Sequence, residues 1–368
     1  MSGLGTRIDS GRLKVHPLAD RNSLSRLEDI LIDPDSEPAE CPDIVARQIG
    51  NCAERIRAAR EQDAAVILIY GAHLLRNGAA PIIDRLLDNR WVTHLATNGA
   101  GTIHDWEFAF QGCSTECVRS NVADGKFGAW DETGRNIMLA LLSGGAFGWG
   151  YGDSLAAFIH GDGTVLPDPA NLRNLVAGNM SHPLSPARLE LAQFMERHAI
   201  APGRHRVEHN WKHASILASA FNHGVPLTVH PGIGYDIISC HPMFSGAAVG
   251  RAAHVGFETF CGSVENLDDG VVLSIGSAIM GPQVFEKSLS CVNNLRLQDD
   301  RKTVSGHSIH VVDLQPGDWD WTQGEPPKDH PAYYLRFCKS YARMGGDMHY
   351  VQHDNAAFLH GLWRNLAD

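Results

Sequence analysis

No run of 18 or more apolar residues occurs in this chain, so no membrane span is expected. The opening stretch, MSGLGTRIDSGRLKVHPL, lacks an apolar h-region, so no secretory leader is expected either. There is no C-x-x-C pair. The eight cysteines, at 41, 52, 113, 117, 240, 261, 291 and 338, are scattered and read as reduced thiols of a cytoplasmic protein, with Cys113 and Cys117 the one i,i+4 pair. Positive charge is scarce: 31 Lys and Arg stand against 42 Asp and Glu, a formal net charge of -11. That balance excludes the concentrated basic surface that nucleic acid requires. Also missing are G-x-G-x-x-G, a Walker A loop and a G-x-S-x-G elbow, which removes the usual dehydrogenase, P-loop and serine-hydrolase signatures.

What is there is ordinary for a globular enzyme: 43% hydrophobic and 20% charged residues in a chain of 368. Residues 1–42, polar and broken by Pro17, Pro34 and Pro38, read as an irregular N-terminal arm, and 43–368 as a single domain. Residues 43–62 have the apolar spacing of an amphipathic helix. VILIY (66–70) is a strand ending in a Gly-containing turn, followed by a helix over 79–89. VTHLAT (92–97) is a second strand, ending in the Gly-rich turn Asn98–Gly101. Helices are expected over 131–147 and 185–198. The same grammar returns with strands PLTVH (226–230), GVVLSIG (270–276) and HSIHVVDL (307–314), and with helices over 282–295 and 331–343. Apolar strands alternating with helices predict an α/β fold with a doubly wound, mostly parallel sheet covered by helices on both faces. Ligands of such sheets sit beyond the carboxyl ends of the strands, where these turns fall.

Several polar residues lie at those turns. His104 and Asp105, with Glu107 close by, follow the second turn, and an imidazole beside a carboxylate suits proton transfer near neutral pH. His230, Asp236 and His241 fall after PLTVH. His205, His209 and His213, and His349 and His353, have helical spacing. Neither set carries the glutamate of a zincin motif, and no metal site is assigned. Trp319 and Trp321 flank Asp320 and could line the mouth of an amine site.

The collinear series VILIYGAHLLRNG (66–78), VTHLATNGAGTIHD (92–105), TVHPGIGYDIISCHPMFSGAAVG (228–250), GVVLSIGSAIMGPQVF (270–285) and HVVDLQPGD (310–318) resembles the deoxyhypusine synthase superfamily. The resemblance implies a Rossmann-like domain that binds NAD, with Gly71, Ala72, His73, Thr97, Asn98, Gly99, Gly101, Asp236, Gly276, Ser277 and Asp313 at the cofactor. It implies a transferase acting on an amine or polyamine through transient hydride transfer and an imine, and a homotetramer. Its imine-forming lysine corresponds to Lys339 in YYLRFCKSY, where Tyr333, Tyr334, Phe337 and Tyr341 could desolvate the amine. The catalytic set is therefore Lys339, His104 and Asp105. The chain departs from the family where Gly71–His73 replace a Thr-Ser-Asn turn, where Ile103–Asp105 replace paired acidic residues, and where Pro282 and Gln283 replace a His pair. Two other readings stand beside it: an NAD-dependent lyase or hydratase without a lysine adduct, and a non-catalytic NAD-binding protein.

Overall fold

Six short segments become the strands of one sheet in the computed structural model, which describes residues 5–367. They are β1 (Val66–Tyr70), β2 (His94–Asn98), β3 (Leu227–His230), β4 (Val271–Ile275), β5 (Ser308–Asp313) and β6 (Asp347–Gln352). All neighbours pair in parallel, in the order β3-β2-β1-β4-β5-β6. This is the 3-2-1-4-5-6 order of dinucleotide-binding sheets, with the reversal between β1 and β4. The doubly wound α/β expectation holds.

The apolar runs explain the layers. Successive side chains of a strand point to opposite faces. In β1, Val66, Leu68 and Tyr70 enter one core and Ile67 and Ile69 the other, so no position is left for a polar residue. Each such side chain contributes roughly 1.5–3 kcal/mol on burial. The helices used below are α1 (Asp43–Glu61), α2 (Ala72–Arg76), α3 (Gly99–Gln111), α4 (Asp131–Gly145), α5 (Ile216–His223), α6 (Gly246–Glu265), α7 (Met280–Gln298), α8 (Arg336–Tyr341) and α9 (Asn355–Ala367). α1 and α9 cover the first core through Ile49, Ile56, Phe358 and Leu362. α7 covers the second through Phe285, Leu289 and Val292. No helix among the described residues is long and apolar enough to cross a membrane.

Three expectations need correction. The helix over 331–343 is two pieces, a 3-10 turn at Pro331–Tyr334 and α8, because Leu335 between them is non-helical at ψ 79°. His205, His209 and His213 do not share a helix face. His205 lies on Gly203–Arg206, a strand paired antiparallel with Gly163–Leu166; His209 follows it; His213 is in a 3-10 turn. His349 lies on β6, a strand that the helical reading of His349 and His353 had hidden. The N-terminal arm, over its described residues, packs into the fold. Its Ser25–Arg26 pairs antiparallel with Cys113–Ser114, and Leu18 and Leu27 are buried.

Candidate active site

The site begins where β2 stops. The Asn98 side chain accepts a hydrogen bond from the Gly101 N–H at 2.9 Å and caps α3. Gly99 is needed at the first turn because an added Cβ would lie 2.0 Å from an oxygen of Asp236. Its absence lets the loop after β3 lay that carboxylate against the helix start, where the dipole favours negative charge. Asp236 accepts a hydrogen bond from the Gly232 N–H at 2.7 Å, yet burial pushes its carboxyl up to about 6.

Beside it lies a cavity of about 310 Å³, walled by Arg76 of α2, His104 and Glu107 of α3, Glu116, Tyr235 and Asp236, among others. His104 and Glu107, three residues apart, share a helix face. His104 Nδ1 is 2.7 Å from Ser114 Oγ, and Ser114 Oγ donates to Glu107 Oε2 at 2.5 Å. Glu107 is buried. It also accepts from Thr133 Oγ1 at 2.9 Å and is gripped by two nitrogens of Arg21 at 2.7 and 2.8 Å. A hydroxyl has one proton and a carboxylate only accepts. Ser114 therefore spends its proton on Glu107 and must accept from His104. The proton on His104 is thus on Nδ1, leaving the Nε2 lone pair free. Burial lowers the His104 pKa to about 4. Glu107 pulls the other way, while Arg76, Arg21 and His73 add to the lowering, so the ring is neutral at physiological pH.

The residues expected to form the site divide. His104 and Asp236 come together on the cavity. Asp105, expected to act with His104, does not line the cavity. It is 1% exposed, and its oxygens accept from the Ser215 hydroxyl at 2.9 Å and the N–H groups of Ile216 and Leu217 at 3.0 and 2.8 Å, capping α5. Consecutive residues on a helix point in different directions, so a sequence neighbour of His104 need not share its wall. Thr97 spends its hydroxyl on the Tyr70 carbonyl at 3.0 Å and packs under Gly101, clasping β1 to β2. Lys339 lies with its Nζ 3.7 Å from the Tyr333 ring centroid and 3.8 Å from Glu325, and it does not line this cavity. His230 joins a different chain, in which His94 bridges Ser263 at 2.7 Å and Thr228 at 2.9 Å, with Thr228 3.2 Å from His230. Among the described residues no group of three or more His, Cys, Asp or Glu is placed to hold a metal ion.

Arg21, Ser114, Arg76 and Glu116 belong to the site and went unrecognised in the sequence. Only the His104/Glu107 spacing was a readable signal. Arg21 arrives from the arm, and Ser114 is fixed by the arm's strand pairing, neither of which has a local signature.

The other expected cofactor residues gather at the switch point between β1 and β4. Gly71 comes so near Gly276 that an added Cβ would sit 2.1 Å from the Gly276 carbonyl oxygen. Gly276 has φ +61°, and a Cβ there would meet the Asn355 amide at 2.6 Å. Ser277 accepts from the Gly281 N–H at 3.1 Å and Asp313, at the end of β5, from the Gln315 N–H at 3.0 Å. Ala72 and His73 open α2, with His73 exposed. Buried Asn355 Oδ1 has no hydrogen-bond partner among the described residues. A glycine-lined edge with an open acceptor fits the close backbone approach of a dinucleotide.

No protein-family description and no curated protein sequence matches the chain. Among solved structures it is similar to unliganded AgrE at 14% identity and TM-score 0.43, over 89% of this chain and 34% of that one. It is similar to AgrE in ternary complex with ornithine and NAD+ at 13% and 0.44, with the same coverage. A putative LOR/SDH protein from Methanococcus maripaludis S2 follows at 14% and 0.42, over 91% and 73%. The chain spans about a third of the length of the AgrE chains it matches. With TM-scores below 0.5 these likenesses add nothing to the sheet topology described above. None of the three is a deoxyhypusine synthase. What the structure bears out of that resemblance is its coarse part, the parallel Rossmann-like sheet.

Proposed function

We propose that the chain is an NAD-dependent enzyme acting on a small amine or amino acid. The observation that carries this reading is the His104–Ser114–Glu107 relay opening into a cavity that also holds the desolvated carboxylate of Asp236. Gly71, Gly276, Ser277, Asn355 and Asp313 would hold the dinucleotide, which when bound supplies a hydride acceptor or donor. A cationic amine relieves the desolvated Asp236, whose proton leaves as the ammonium arrives, and Glu116 adds a second countercharge. Oxidation of a carbon bearing an ammonium releases one hydride and one proton. His104 Nε2 accepts that proton while Nδ1 passes its own through Ser114 to Glu107, so positive charge does not build up on the ring.

Transfer of an alkyl fragment through an imine on Lys339 is the narrower form of this reading and draws least from the geometry, given the contacts of that lysine with Tyr333 and Glu325. A lyase or hydratase reading is favoured by one observation: a neutral imidazole with an open Nε2 and a carboxyl raised to about 6 share one cavity. The deciding experiment incubates the purified chain with NAD+ and ornithine as the probe amine, following nicotinamide absorbance and product mass together. NAD+ reduction that drops at least a hundredfold in His104→Gln supports the proposal. Turnover without net reduction selects the lyase reading. Failure to bind NAD+ at all overturns both.

A further inference from the structure

The charged side chains around the cavity beside His104 do not all cancel one another. Arg21 and Glu107 do, as a buried pair. That leaves Arg76, the last residue of α2, facing Glu116 and Asp236 on two loops, with no other Lys or Arg among the lining residues. Arg76 enters no side-chain hydrogen bond or ion pair among the described residues, and its side chain is exposed. Its charge nevertheless reaches the relay: of the neighbouring cations it lowers the His104 pKa most, ahead of Arg21.

Glu116 is fixed in place without a cation. Its Oε1 accepts from Trp130 Nε1 at 3.0 Å and from the Gly128 N–H at 3.3 Å, and its Oε2 from Asn121 Nδ2 at 2.5 Å. Three neutral donors orient the carboxylate and leave its charge unmatched. Asp236 has the Gly232 N–H for a partner and likewise no cation among the described residues. The cavity thus presents one unpaired guanidinium and two carboxyls without a cation, with Ile103, Val118 and Phe127 adding apolar wall. A ligand that answers this pattern carries both signs of charge on a short aliphatic frame. A diamine answers the acids alone and brings a second positive charge into the field of Arg76, and a diacid meets two carboxyls; like charges brought together cost affinity.

Taking this cavity as the substrate site, on which the proposed function also rests, we infer that it accepts an α-amino acid and not a diamine or polyamine, with the substrate carboxylate on Arg76 and its ammonium on Glu116 and Asp236. A guanidinium binds a carboxylate through two parallel hydrogen bonds, which makes Arg76 the residue that separates the two substrate classes. A volume of about 310 Å³ lies at the small end of ligand pockets and suits a metabolite rather than a peptide.

Calorimetric titration of the full chain with two matched pairs of ligands tests the assignment: ornithine against putrescine, and norvaline against butylamine. The members of each pair differ only by the carboxylate. In at least one pair the amino acid is expected to bind about tenfold or more tightly, the size of a hydrogen bond to a charged group. In Arg76→Met that preference is expected to vanish, while the amines bind as before or better. Glu116→Gln is expected to weaken amino acids and amines alike. Arg76 is exposed, so Arg76→Met is expected to fold, and an unchanged melting temperature verifies it. Equal affinity within both pairs, no saturable binding of any of the four ligands, or a preference that survives in Arg76→Met would each overturn the assignment. A parallel titration with NAD+ keeps the two readings apart. NAD+ bound without an amino-acid preference removes the role given to Arg76 alone, and the preference without NAD+ bound removes the cofactor reading alone.

Discussion

Replacing Arg21 by methionine isolates the contribution of the N-terminal arm. The Arg21–Glu107 side chains are each 1% exposed, so solvent does not screen the pair. Removing one partner of a buried pair typically costs about 3–5 kcal/mol, because the other charge stays behind without its partner. Against a total stability of roughly 5–15 kcal/mol, that is a severe loss. Unfolding entropy near 2 cal/mol/K per residue makes each kcal/mol worth roughly 1.3 °C in a chain of this length, so Arg21→Met should lower the melting temperature by about 4–6 °C. The double variant Arg21→Met, Glu107→Gln should recover much of the loss, since a neutral amide retains Ser114 and Thr133 as neighbours without a buried charge. Differential scanning calorimetry of the four proteins of this cycle gives the coupling directly. A single variant as stable as the parent, or a double variant no better than the single, would refute the assignment of Arg21 as Glu107's counterion.

The remaining predictions are narrower. Nitrogen-15 NMR should show His104 in the Nδ1–H tautomer, titrating near pH 4, and Ser114→Ala should abolish that tautomer preference. Its folded pKa is depressed below the unfolded value of about 6.5, so the unfolded chain binds more protons. The neutral ring's contribution to stability is therefore intact above about pH 6.5 and lost as pH falls toward 4; urea midpoints at pH 7 and 5, compared with those of His104→Phe, measure it. Asp236 has the opposite sign: raised to about 6, it favours folding below the unfolded carboxyl range and loses that contribution as pH climbs through 6. Asp236→Asn should flatten this slope in the same urea series. Asp105→Ala should destabilise by about 1–3 kcal/mol by stripping the cap of α5. If thermal melts show no loss, the structural role given to Asp105 fails. Gly99→Ala should cost about 1–3 kcal/mol through collision with the Asp236 carboxylate, measured the same way.

The sheet was legible because parallel strands buried on both faces must be almost wholly apolar, and VILIY, VTHLAT, PLTVH, GVVLSIG and HSIHVVDL carry that mark beside their glycine turns. β6 was not legible, since the alternation of Asp347 and His349 with the buried Met348 and Tyr350 is short and the His349/His353 spacing matched a helix. His104 could be picked out as a candidate from its place after a βα turn, and Glu107 from its spacing. The choice between Glu107 and Asp105 as its carboxylate could not be made from order along the chain. Asp105 is the nearer in sequence, yet three hydrogen bonds to the start of α5, more than a hundred residues on, claim it for structure.

By itself, then, the amino-acid order determined the alternation of strands and helices and the run of turns along one sheet edge. These follow from local periodicity and composition, which act within a few residues. Only the tertiary structure decided which polar groups meet: Arg21 with Glu107 across 86 positions, Ser114 beneath His104 and Asp236 over Gly99. The physical reason is that a buried charge or imidazole takes its partner from whatever the packing brings within about 3 Å, and that neighbour is set by the path of the chain rather than by its spacing.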